Sequence, residues 1–194
     1  MSYLGEIDAD LEDVVFLAVF DLVNAPAMGE FSGENFVTGW TNVATVSNPC
    51  DSIERQKGYV NKSLRSKMSS DPSYFKQIYR NSFKYAKPEG QRAVPVDQAF
   101  AFWEMFFGGG KGGIDWSSPS MNWFELWKEY YTTKNNRPVN KDLWNQVAEL
   151  VSKTREDGGE TLEWWSEDGA WPTAVDDFVA FVKEKRAAGG MDTS

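Results

Sequence analysis

Histidine is absent from all 194 residues, and there is a single cysteine, Cys50. The first absence removes the side chain most used for proton transfer near neutral pH and the usual nitrogen ligand of zinc. The second excludes an internal disulfide and a Cys-rich metal site, and one thiol fits a reducing compartment. Cys50 as a nucleophile would lack an imidazole to activate it, and the neighbouring Asp51 disfavours its thiolate. Long apolar runs are also missing, so no segment is expected to span a membrane. The first residues, MSYLGEIDADLED, lack the basic and apolar regions of a signal peptide. Basic charge is in deficit: 20 Lys and Arg stand against 29 Asp and Glu, giving a net charge of −9. Such a surface repels phosphate backbones, so nucleic acid is excluded as a partner and basic protein surfaces are favoured.

The chain is 41% hydrophobic and 15% aromatic, with nine Trp, enough to build one sizeable core. The apolar periodicity is helical nearly throughout. DLEDVVFLAVFDLV reads as a buried helix with Asp8 or Asp10 as its cap, and FSGENFVTGWTNVA as one capped by Ser32. Asp51 stands three residues before Glu54, the spacing of a capping box, with Ile53, Val60 and Leu64 on the face behind it. Asp71 followed by Pro72 opens a helix whose buried face carries Phe75, Ile78, Ser82 and Tyr85. Further amphipathic segments follow at 94–107, 121–131, 140–154 and 171–188, the last with Val175, Phe178, Val179 and Val182 inward. No run alternates with the period of a strand. The expected class is all-α, with about eight helices.

Several stretches invite a chemical reading. GGGKGG at 108–113 could suggest a phosphate loop, but Lys111 is followed by Gly112 instead of Ser or Thr, and a helix precedes it. A flexible surface connector, dividing the chain into two lobes, is expected. Asp8 and Asp10 fit the first ligands of a calcium loop, yet Asp13 stands where the turn requires Gly and Val19 where a bidentate Glu should be. Glu163, Glu167 and Asp168, beside Trp164 and Trp165, could supply a carboxylate pair with sugar-stacking rings for a small hydrolase. Residues 53–67 carry five basic side chains and one acid, which fits a solvated helix face. Between Glu156 and Asp177 lie eight carboxylates and no Lys or Arg. Ala170 sits among them, and its small side chain would leave a shallow electronegative notch for a Lys or Arg. The same acids would also suit the first turns of helices through the macrodipole.

CDSIE at 50–54, EFS at 30–32, FELW at 124–127, KDLWN at 141–145 and DGAWPTAVDDFV at 168–179 together resemble the defective-in-cullin-neddylation proteins. The resemblance runs from about Leu4 to Arg186. It implies a potentiating-neddylation domain over residues 1–187, all-helical, with EF-hand-like lobes that need no calcium; the composition of the GGMDTS end separately leads to the expectation of a disordered tail at 188–194. It implies a scaffold-type ligase component without cofactor, metal or nucleophile of its own. Its partners would be the C-terminal winged-helix region of a cullin and the conjugating enzyme of the ubiquitin-like modifier. The family's Asp-Ala-Asp cullin contact falls on Asp142, Ala170 and Asp176, with Trp144 and Trp171 buried beneath. Its pocket for the acetylated N-terminal Met of the conjugating enzyme falls on Val15, Ala18, Val19, Leu22, Phe31, Tyr85, Phe102 and Met105. The resemblance further implies a monomer that is cytoplasmic and nuclear, and a chain lacking the family's preceding helices and the ubiquitin-binding domain of many members. The loop at 108–120 is longer than the usual family connector. The alternatives from other classes are the carboxylate-pair hydrolase and a calcium-responsive adaptor.

Overall fold

The computed structural model describes residues 2–156 and 158–189. A one-turn helix α1 (Tyr3–Glu6) leads to α2 (Val15–Leu22), α3 (Gly33–Val43), α4 (Ile53–Tyr59), α5 (Arg65–Ser70), α6 (Pro72–Ala86), α7 (Val96–Phe107), α8 (Trp123–Tyr130), α9 (Lys141–Arg155) and α10 (Thr173–Gly189). A π-helical turn at Val60–Leu64 joins α4 to α5, so these two form one rod, and another at Tyr131–Asn135 extends α8. The expectation of an all-α chain of about eight helices therefore holds, with α1 as an extra turn. The strands that periodicity did not register are two residues each: β1 (Ser117–Ser118) pairs antiparallel with β2 (Met121–Asn122).

Capping follows local chemistry, at positions that the pattern placed only in part. Ser32 accepts from the Asn35 N–H, and Asp71 accepts from the Tyr74 N–H ahead of Pro72, both as expected. The rod beginning at α4 is capped by Ser52 instead of Asp51, whose carboxylate pairs with Arg55. Ile53, expected inward, is exposed, whereas Val60 and Leu64 are buried. Neither Asp8 nor Asp10 caps α2, which starts at Val15 with Asp13 Oδ1 accepting the Val15 N–H. Ala188 and Gly189, placed in a tail by the sequence, belong to α10; the remainder of that tail lies outside the described residues.

The core is aromatic. The Tyr79 ring stacks on Trp144 at 5.1 Å with 3° between planes. Its hydroxyl accepts from Trp103 Nε1 and its backbone carbonyl from Trp144 Nε1. Buried indoles need such partners, since an unpaired buried N–H carries a desolvation penalty. Trp116 Nε1 is likewise bonded to Thr154 Oγ1, which fixes the segment before β1 against α9. The 108–120 segment is no loose connector. Gly109 and Ile114 N–H groups donate to the Ile114 and Phe106 carbonyls, Trp116 N–H to the Phe107 carbonyl, and Val14 N–H to the Lys111 carbonyl. A Cβ at Gly113 would fall inside contact distance of the Met105 carbonyl oxygen, so glycine permits this close return of the chain. Val94 and Val139 exchange backbone hydrogen bonds, tying the turn before α7 to the turn before α9.

Candidate functional site

Asp142 lies in the first turn of α9, after Asn140, whose side chain accepts the Leu143 N–H. Its side chain is exposed and joins no ion pair among the described residues. Trp144, two residues on, is fully buried. Ala170 is exposed in the turn before α10. Asp176 lies in the first turn of α10 and differs from its expected outward pose: it is half-buried, and its Oδ1 accepts from Trp165 Nε1 at 2.9 Å. The reason is tertiary, since the 159–166 turn folds back and lays the Trp165 indole against α10. Lys183, on the same helix, sits 4.3 Å above that ring. Both acids thus lie in the first turns of helices, where the backbone dipole favours negative charge.

Trp164 and Trp171 pack edge-to-face at 5.5 Å, and Trp164 Nε1 donates to the Gly159 carbonyl. Trp171 is only half-buried, less covered than expected. These rings hold the acidic turn to itself, so Glu163, Glu167 and Asp168 lie exposed beside aromatic groups already engaged with protein. Glu160, in the same stretch, has its ionisation shifted by its neighbours. Hydrogen bonds from the Ser118 hydroxyl, then from the Ser120 hydroxyl and N–H, hold its carboxyl below the usual glutamate range. It serves as the clasp between the 3-10 turn at Gly159–Thr161 and the β1–β2 hairpin.

The eight apolar positions divide by burial. Val15, Ala18 and Val19 on α2 are covered, as are Tyr85 and Phe102, whereas Leu22 and Met105 are half-buried and Phe31 is exposed. Phe20 brings two of them together, packing edge-on to Phe31 and to Tyr85, each at 5.3 Å. The Tyr85 hydroxyl donates to the Ala25 carbonyl, which anchors α6 to the end of α2. Phe102 leans on Trp144 at 5.9 Å, away from the Phe20 group. The structure brings Phe31 and Tyr85 together around Phe20, while Val15 lines a separate cavity with Asp13 and Arg65. Cys50 is buried, and burial, then Asp51, pushes its thiol up from the ordinary value.

One group escaped the sequence. Asp13 is fully buried, and its Oδ2 receives Arg65 Nη1 at 2.5 Å and Lys111 Nζ at 3.3 Å. Arg65 Nη2 also donates to the Asp8 carbonyl at 2.5 Å. The would-be calcium loop is thus bridged by a guanidinium. The available signal was an acid set directly before the apolar run VVFLAVF, where a charge must find partners.

The chain matches the family model described as "Cullin binding" over residues 55–181. It is 33% identical over 203 residues to Defective in cullin neddylation protein 1 of Pyricularia oryzae, covering 99% of this chain and 69% of that one. The protein of the same name from Cryptococcus neoformans var. neoformans is 33% identical over 194 residues, with 93% and 66% covered. DCN1-like protein 5 of Homo sapiens is 28% identical over 187 residues, with 96% and 70% covered. The chain therefore spans about two thirds of the length of these relatives. A family model matched over most of the chain, relatives at one-third identity along nearly all of it, and an all-helical fold agree: this chain belongs to the cullin-binding, defective-in-cullin-neddylation family.

Proposed function

We propose that the chain is a scaffold-type component of cullin neddylation. It holds the C-terminal winged-helix region of a cullin and, at a second site, the acetylated N-terminal Met of the conjugating enzyme. The observation that carries the proposal is the family match across residues 55–181, which includes Asp142, Ala170 and Asp176. The acids at the first turns of α9 and α10, with a small exposed Ala170 in the adjoining turn, support a notch for a cationic cullin side chain.

The chemistry needs no side chain of this protein. A cullin lysine, as free amine, attacks the thioester carbonyl on the conjugating enzyme; the C–N bond forms, the C–S bond breaks, the thiolate leaves and the amine loses its proton. Holding both partners turns an encounter into a local event, and that contribution comes from proximity and orientation. The inert, buried Cys50 and the absence of His are compatible with that role.

At the second site, a free amine would have to shed its hydration to enter apolar surroundings, whereas the acetylated terminus is neutral. Calorimetry with matched peptides from the conjugating enzyme's N-terminus tests this. The acetylated peptide should bind on the order of ten- to hundred-fold more tightly than the free amine. Equal affinities would remove the pocket, and failure to retain a cullin C-terminal domain would remove the scaffold.

A further inference from the structure

Helix α2 begins without an ordinary cap. Its N-cap position is Val14, whose side chain can accept nothing. The exposed N–H groups of a first turn need acceptors, and here they are supplied from outside the helix. The Val14 N–H donates to the Lys111 carbonyl at 3.1 Å, and the Val15 N–H to Asp13 Oδ1 at 3.0 Å. The other oxygen of that carboxylate carries Arg65 and Lys111. Three segments therefore converge on one buried group: the turn before α2, the start of α5, and the glycine loop that follows α7. The loop comes this close because residue 112 is glycine: its φ is +75°, and a Cβ there would lie 2.7 Å from Asp13 Oδ1.

α2 carries Val15, Ala18, Val19 and Leu22, and α7 carries Phe102 and Met105. We propose that Asp13 and Arg65 are positioning residues for the acetyl-methionine pocket, setting the register and tilt of α2 against α5 and the loop that follows α7. The inference rests on the pocket assignment made under Proposed function. The physical reason is the cost of a miss. A buried carboxylate that loses its guanidinium must be hydrated or neutralised, and either outcome pulls the first turn of α2 out of place. Asp142 and Asp176 ride on α9 and α10, which contribute no residue to the cluster, so the cullin contact should not feel the change.

The test uses the full chain and two ligands: the acetylated conjugating-enzyme peptide and a cullin C-terminal domain. Asp13→Asn keeps an acceptor for the Val15 N–H but offers no charge to Arg65 and Lys111. It should weaken the peptide about ten-fold or more while changing cullin affinity less than about two-fold, and amide exchange at residues 15–18 should accelerate. Arg65→Ala should do the same, and added guanidinium ion should restore peptide binding. A route exists for it, because Arg65 lines an open cavity of about 460 Å³ together with Asp13, Asn61 and Ser66. If Asp13→Asn does not fold, Lys111→Met removes only the more exposed arm and is judged by the same two affinities. Unchanged peptide affinity overturns the inference, and so does an equal loss toward both ligands, which would mark a general structural role. A parent chain that binds cullin but ignores the acetylated peptide overturns the pocket assignment itself and the inference with it.

Discussion

Asp176 carries two duties that a well-chosen substitution can separate. Its Oδ1 accepts the Trp165 indole N–H at 2.9 Å, and its charge is part of the proposed cullin notch. A hydrogen bond to an ionised group contributes about 1.5–3 kcal/mol, and partial exposure lowers that toward about 1 kcal/mol. For a chain of this size, about 1 kcal/mol moves the melting temperature by about 2–4 °C. Asp176→Ala should therefore lose both that stability and cullin binding. Asp176→Asn retains an oxygen at the same place, so the indole stays paired and the melting temperature should hold within about 1–2 °C. The charge-assisted contact to a cullin cation is gone in either variant, a loss of about ten-fold or more in affinity. Asp142→Lys is the companion: an exposed residue whose reversal should abolish binding with little effect on folding. Thermal melts and calorimetry against a cullin C-terminal domain read the two quantities independently. Wild-type affinity in Asp176→Asn would refute the electrostatic account of the notch.

Calcium should leave the melting temperature unchanged, because Arg65 and Lys111 already compensate Asp13; a calcium-dependent rise would contradict this. Gly113→Ala should destabilise by about 1–3 kcal/mol in urea unfolding, since its Cβ would strike the Met105 and Phe106 carbonyls. Gly58→Ala, in open space inside α4, should instead stabilise by about 0.5–1 kcal/mol. Glu160 has a folded-state ionisation held low by Ser118 and Ser120, so its contribution is complete above the ordinary glutamate range and is lost as pH falls through the depressed value. The stability gap between the parent and Glu160→Gln should accordingly be present near about pH 6 and narrow toward about pH 3. A gap that widened on acidification would show the sign to be wrong.

How far the sequence reached depends on the range of the interaction concerned. Periods of three and four residues are local, and they correctly placed Phe75, Ile78, Ser82 and Tyr85 on one buried face of α6, and Val175, Phe178, Val179 and Val182 on that of α10. Capping by Ser32 and Asp71 is equally local and was legible. Asp51 was misplaced by one residue because Ser52 is as good a cap, and only the rod's packed position selects between them. The family motifs, being ordered residue types at set spacings, carried the family as well.

The assignment of Asp142, Ala170 and Asp176 to the cullin contact is a proposal carried by the resemblance, and the string says less of their setting. That Asp176 is held by Trp165 depends on a turn folding back across eleven residues, which no periodicity encodes. The glycine loop shows the same limit more strongly: its composition reads as slack, yet its backbone is held by bonds to Phe106, Phe107 and Val14. Asp13 is the extreme case. In the string it is one acid among several near the N-terminus; in the fold it is a buried carboxylate tied to Arg65, fifty-two residues away, and to Lys111. The all-helical class, the apolar faces and the family follow from residue type and short spacing, which the string contains in full. Which charges are buried and which are paired emerges only in the fold, because desolvation and ion pairing depend on what the chain brings near from far along its length.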